Sequence, residues 1–239
     1  MKKATLSCIF IFFLKCTIIF AQSNNLFFNS LNSVINMNFD ENDPVISSTG
    51  ITGGYIGEGI AHIEDSEGDL LFYVNTTGVF RADNSLMPGS ETIYANDSAA
   101  EINICQVPGD PNRYYILHNV ETCSPLYYTI VDMSLEGGLG GIEEMNNLFS
   151  MAEYGEGIEL IRKPGTENFW MLIFECNVGM VRFFIDENGI SEPEMIQAHV
   201  PVEEGYDGRS ELEYHNGKIA MGFCWSNESL VADFDAETG

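Results

Sequence analysis

One layout recurs along this chain and constrains its fold more than any other feature. Glu58–Ile63 leads to a turn at Asp65–Gly68, Glu101–Ile104 to Pro108–Asn112, and Glu156–Ile161 to Pro164–Asn168. Ile60, Ile102 and Ile158 each stand six residues before a turn position: Ser66, Pro108 and Pro164. A compressed fourth copy runs from Glu211–Tyr214 into His215–Lys218. After every turn comes an unbroken apolar stretch: Leu70–Val74, Tyr114–Leu117, Phe169–Phe174 and Ile219–Phe223. A strand covered on one face alternates apolar and polar residues, so these runs predict strands buried on both faces.

A third strand closes each copy on an aspartate: Gly78–Asp83, Leu126–Asp132, Val178–Asp186 and Ser229–Asp235. An aspartate at the start of a turn accepts a hydrogen bond from the amide two residues on, which gives these residues a structural role. More polar fourth strands are predicted at Glu91–Tyr94, Glu144–Leu148 and Met195–Ala198. The anchors Ile60, Ile102, Ile158 and Leu212 are 42, 56 and 54 residues apart. Blades of β-propellers repeat at about 40–50 residues. Two copies therefore carry extra loop, such as Gly137–Gly141. The glycines also argue against a helix over Leu135–Phe149. Ahead of the first copy, Leu26–Phe28 and Val34–Phe39 read as a hairpin, followed by a turn at Asp40–Pro44.

The expected fold is all-β: a β-propeller-like array of four-stranded antiparallel blades, incomplete, with about four blades and an N-terminal hairpin. Residues 1–21 read as a signal peptide and 22–239 as the partial propeller. The copies fall at about 24–57 (partial), 58–98, 99–153, 154–204 and 205–239 (incomplete). The last copy ends one strand short, which predicts an unpaired sheet edge and missing blades and domains beyond Gly239.

The first residues carry the marks of an export signal. Lys2 and Lys3 precede the apolar run Leu6–Phe20, and the small Ala21 suits cleavage before Gln22. Lys15 interrupts the run, and a membrane anchor needs about 20 apolar residues, so no membrane span is expected after cleavage. Of 10 Lys and Arg, three leave with the leader, and against 36 acidic residues the net charge becomes −29. Such a surface repels nucleic acid and anionic lipid. Cys8 and Cys16 leave as well, while Cys105, Cys123, Cys176 and Cys224 remain. Export permits disulfides, and no CxxC pair suggests zinc. Three pairings are possible. Cys123 and Cys176 both follow the second strand of consecutive copies and are the favoured pair; Cys105 sits at the other end of its sheet.

Motifs that carry chemistry are few. The chain has no His-Glu-x-x-His motif, no Gly-x-Ser-x-Gly elbow and no phosphate-binding glycine loop. His62, His118, His199 and His215 fall in separate copies, which suits core or channel histidines better than metal ligands. Glu58, Glu101, Glu156 and Glu211 open the first strands and are candidates for a ring that holds calcium, which prefers oxygen ligands. Their register is mixed. Glu58 and Glu156 lie two residues before the apolar anchor, Glu101 and Glu211 one, so alternate members point to opposite sides. No other cofactor is expected. Asp40–Asp43 has the composition of a calcium loop without its ligand spacing, and reads as a solvated turn. Asp97-Ser98-Ala99 resembles a short O-glycosylation site.

The wording of the repeats resembles a known family. GIAHIEDSEGDLLFYVNTTGVFRADNSLMPG (59–89) is similar to a blade from the N-terminal propeller of large secreted surface proteins of Bacteroidetes, the gliding-motility-associated class that ends in a type IX secretion sorting domain. The stretches 113–142, 168–174 (NFWMLIF) and 217–239 resemble the following blades. The chain departs from the family at Leu26–Ser30, which lacks the usual Trp and Phe-Gly pair. The resemblance implies a secreted or outer-surface module of a longer protein, and it brings no catalytic residues.

The favoured function is a non-catalytic binding or scaffold module with a surface glycan or protein as ligand. The alternative is a secreted propeller enzyme that degrades glycan or peptide with channel carboxylates as acid and base, about 5–10 Å apart.

Overall fold

In the computed structural model the described residues are 25–30, 33–38, 45–52, 59–94, 102–198, 210–223 and 229–239; for 25–52 the description is of backbone pairing. They form seventeen strands and no helix. An antiparallel sheet is built from β1 (Asn25–Ser30), β2 (Ser33–Asn38) and β3 (Val45–Thr52). A second contains β4 (Ile60–Glu64), β5 (Leu70–Asn75) and β6 (Gly78–Arg81). The largest contains β7 (Asn103–Gln106), β8 (Arg113–Asn119), β9 (Ser124–Asp132), β10 (Gly141–Arg162), β11 (Phe169–Glu175), β12 (Gly179–Asp186), β13 (Gly189–Ile190) and β14 (Glu194–Ala198). The last contains β15 (Ser210–His215), β16 (Lys218–Phe223) and β17 (Ser229–Asp233).

The large sheet is two groups of strands that share β10. Residues 141–154 of β10 pair with β9, and 158–162 pair with β11. Tyr154 pairs with Ser124 on one side and Glu175 on the other, so the strand changes partners at this residue. The first half of β10 thus closes the group β7–β8–β9, and its second half opens the group completed by β11, β12 and β14.

Alternation on the inner strands explains why the groups stack face to face. On β8, Tyr114 and Ile116 join one apolar cluster with Phe72, Val74 and Met87, while Tyr115 and Leu117 join another with Met171, Ile173 and Phe183. On β11, Met171 and Ile173 point to that second cluster, and Trp170, Leu172 and Phe174 to a third with Leu212, Ile219 and Met221. Full burial of such a side chain stabilises by about 1.5–3 kcal/mol. A strand that contributes to two cores must be apolar at every position, which accounts for the unbroken runs.

Two expectations need correction. The sheet holding β4–β6 has three described strands, not four. Glu91–Tyr94 forms a turn, because side chains take over its backbone bonds: Asn146 donates to the Thr92 carbonyl (2.8 Å) and accepts from the Tyr94 amide (2.9 Å), and Ile93 is buried. Among the described side chains of β16, Ile219 and Met221 are buried, and the small Ala220 and Gly222 alternate with them on an exposed face. Among the described residues the sheets form neither a closed barrel nor a closed ring. Strand β3 is an addition to the expected hairpin.

All four strand-ending aspartates make the local bond their position predicts. Asp83 accepts from the Ser85 amide (2.9 Å), Asp132 from Ser134 (2.7 Å), Asp186 from Asn188 (2.7 Å) and Asp235 from Glu237 (2.9 Å). The Ser85 and Ser134 bonds hold the carboxyls of Asp83 and Asp132 below their ordinary range. In the glycine-rich loop Gly140 takes a left-handed backbone (φ +79°), which favours glycine. There the loop carbonyls of Leu139 and Gly140 accept Arg81 Nε (3.1 Å) and Nη2 (2.9 Å) from the preceding sheet.

Candidate functional site

The first strands of successive groups run side by side: β4 by β7, β7 by β10, and β10 by β15. Their edges are stitched by side chains. Asn103 Nδ2 on β7 donates to the Ile158 carbonyl on β10 (2.8 Å). The Tyr214 amide on β15 donates to Glu159 Oε1 on β10 (3.1 Å). Free strand edges need such partners, because an unpaired buried amide costs about 1–3 kcal/mol.

Glu159 is a perturbed carboxyl on this row. Burial pushes it up to about 7, the Tyr214 amide opposes this, and the Glu213 charge raises it further. At neutral pH it holds a proton for a substantial part of the time. The sequence signal for it was available: a glutamate set between Ile158 and Leu160 in an apolar strand. What it lacked was a reason to prefer Glu159 over Glu156.

The expected glutamate ring has two members outside the described residues, Glu58 and Glu101. The other two occupy different settings. Glu156 is 5% exposed, and its carboxylate accepts the Thr122 hydroxyl from the β8–β9 hairpin. Glu211 is exposed on β15. Among the described residues no group of three His, Cys, Asp or Glu side chains is arranged for a metal ion.

Glu156 belongs to a tightly joined end of the two central groups. Cys123, in the β8–β9 hairpin, is disulfide-bonded to Cys176 in the β11–β12 turn, with Cα atoms 5.8 Å apart. The Cys176 amide donates to the Glu153 carbonyl (2.8 Å), and Asn119 Nδ2 donates to the Gly155 carbonyl (2.8 Å). Asn119 is fully buried. Cys105 is a buried free thiol whose burial raises it to about 12, so it is inert as a nucleophile. Cys224 lies outside the described residues.

The histidines are dispersed. His118 is fully buried; its Nδ1 donates to the Tyr94 carbonyl and its Nε2 accepts the Thr129 hydroxyl (3.2 Å). Burial pushes it down to about 4, with the Tyr94 carbonyl opposing, so the ring is neutral and pins the 86–94 segment to β8. His62 is half-buried on β4, and His215 is exposed beside Asn216. His199, Asp40–Asp43, Asp97–Ala99 and the leader lie outside the described residues. No helix among the described residues is long and apolar enough to cross a membrane.

A cluster that the sequence did not single out joins the two last groups. Trp170 and Phe184 lie with ring centroids 4.5 Å apart, Arg182 sits 4.8 Å over the Trp170 ring, and Lys163 5.6 Å from it. Trp170 Nε1 donates to the Ala236 carbonyl (3.0 Å), which ties the turn after β17 back to β11. No protein-family model matches this chain, and no curated protein matches it.

Proposed function

We propose that this chain is a secreted or outer-surface binding or scaffold module, non-catalytic, within a larger protein. In this reading the stacked groups are successive blades of an incomplete β-propeller-like array. The class it fits is the Bacteroidetes surface proteins with type IX secretion that the repeats resemble, and its ligand is a surface glycan or protein. The supporting observation is the serial stack itself, in which the inner strands β8 and β11 give alternate residues to two cores. Such an array offers its hairpin loops at the two ends, where binding residues are commonly placed. The Cys123–Cys176 bond suits an oxidising compartment.

The test is to present the full chain to a panel of surface glycans and proteins and to assay the same panel for cleavage. Saturable binding with no product supports the module. Release of reducing ends or new peptide termini supports a second reading, an enzyme. That reading is favoured by Glu159, held near 7 close to Glu213. An acid near neutrality can deliver a proton at physiological pH. E159Q would then abolish turnover and leave binding intact.

A further inference from the structure

We infer that the joint between β10 and β15 is a pH-dependent coupling: protonated Glu159 keeps the β15–β17 sheet docked on the β10–β12 group, and loss of that proton loosens the docking ahead of general unfolding. The joints on the two sides of the β10–β12 group are built differently. On one side β10 is shared with the β7–β9 group, and the Cys123–Cys176 bond ties the hairpins. On the other, among the described residues, neither a shared strand nor a disulfide crosses to β15–β17. Contact there is made by one apolar cluster, in which Ile161, Leu172 and Phe174 meet Leu212, Ile219 and Met221. Hydrogen bonds run from the Tyr214 amide to Glu159 and from Trp170 to the Ala236 carbonyl. A segment tied in this lighter way opens by itself, at a lower free energy than the whole domain.

Glu159 stands inside this joint. Ile161, two residues on, points into the shared cluster, and the register partner of Glu159 on β11 is Leu172 of the same cluster. A carboxylate among such side chains loses hydration that one amide bond does not replace. From β15 the Tyr214 amide donates to Oε1 (3.1 Å), and the Glu213 charge opposes ionisation. His215, also on β15, is exposed beside Asn216. Strand β7 (NICQ) brings no charge, and its Cys105 thiol lies in the cluster that takes Ile158. Along the chain from Glu159, Arg162 Nε donates to the Thr166 carbonyl (2.8 Å), and Lys163 lies over the Trp170 ring.

The protonated acid keeps the Tyr214 bond through its carbonyl oxygen and leaves no charge in the joint. Burial first, and the Glu213 charge after it, hold that proton up to about 7, against an ordinary 4.5. The group is raised in the docked state, so its contribution is present at low pH and is lost as pH rises through 7. Undocking hydrates the carboxylate and bares the apolar side of β15 and β16, Leu212, Ile219 and Met221. A three-stranded sheet without a covered apolar face is marginal in water, so its own amides then exchange faster.

Native-state hydrogen exchange on the full chain, in urea below the unfolding transition, reads the joint. Amides of β15–β17 are expected to exchange through an opening with a smaller urea dependence than the amides of β8 and β11. The population of that opening, corrected for intrinsic exchange rates, is expected to rise about fivefold from about pH 5.5 to about 8.5, after allowance for a part-exposed carboxyl. In E159Q, which keeps an acceptor for the Tyr214 amide, the rise is expected to fall below about twofold, which separates Glu159 from His215. Glu213→Lys, at an exposed position, sets a cation beside Glu159 and should reduce the rise as well. The inference is overturned if the β15–β17 amides share the urea dependence of the central ones, if their separate opening is independent of pH, or if the rise persists in E159Q. If E159Q fails to fold, Glu213→Lys decides: a rise as large as in the wild-type chain overturns the inference.

Discussion

Glu159 and His118 are buried ionisable groups with opposite effects on stability. Glu159 titrates at about 7 in the folded chain, above the ordinary value of 4.5. The folded state therefore binds more protons than the unfolded state across that window, and stability falls as pH rises from 4.5 through 7. In E159Q, which keeps an acceptor oxygen for the Tyr214 amide, this slope disappears. Urea unfolding is expected to show the variant gaining on wild type by about 1 kcal/mol above pH 7, after allowance for solvent screening of a part-exposed group, with little gain at pH 5. His118 runs the other way. It titrates at about 4, below the ordinary 6.5, so the unfolded state binds more protons and stability is lost as pH falls from 6.5 to 4. One pKa unit is about 1.4 kcal/mol, so acid costs about 3 kcal/mol through His118. H118Q should lack this part of the acid dependence. At the same scale the strand-ending aspartates were readable in advance, because an Asx turn depends on neighbours two residues away. Glu159 was not, because its burial depends on β15, more than fifty residues on.

The two central groups are held by packing, by the shared β10 and by the Cys123–Cys176 bond. Closing a loop of 53 residues with a disulfide restricts the unfolded chain by about 4 kcal/mol in the entropic account. The double variant Cys123→Ser/Cys176→Ser should lose a comparable stability in urea unfolding and keep its β signal; a loss under about 1 kcal/mol would show that the bond adds little to the existing packing. This pairing could be seen in the sequence, since both cysteines follow second strands and so share one end of neighbouring sheets. Other elements could not. Strand β3 (VISSTGIT) has no continuous apolar run, and its pairing with β2 is a matter of partner rather than composition. At Glu91–Tyr94 local β propensity was overridden by Asn146 and His118, which bind the segment's backbone from another group.

At the scale of the whole molecule the described residues form a series of antiparallel groups, of which the inner strands β8 and β11 face a core on each side. This was the most legible property of the sequence, because a strand with two buried faces must be apolar throughout. Among the described residues it failed at β16, where the small Ala220 and Gly222 interrupt the bulk and are exposed. The same architecture supplies the row of first strands, where Glu159 sits, and that row depends on the groups being stacked in order. Adjacent residues on one inner strand test this most directly. Met171 and Leu172 are both fully buried, Met171 in the core shared with β8 and Leu172 in the core shared with β16. Equilibrium unfolding of Met171→Ala and Leu172→Ala should show that each costs about 2–5 kcal/mol. If either substitution costs less than about 0.5 kcal/mol, as at an ordinary surface position, one face of β11 is open and the serial stack is wrong.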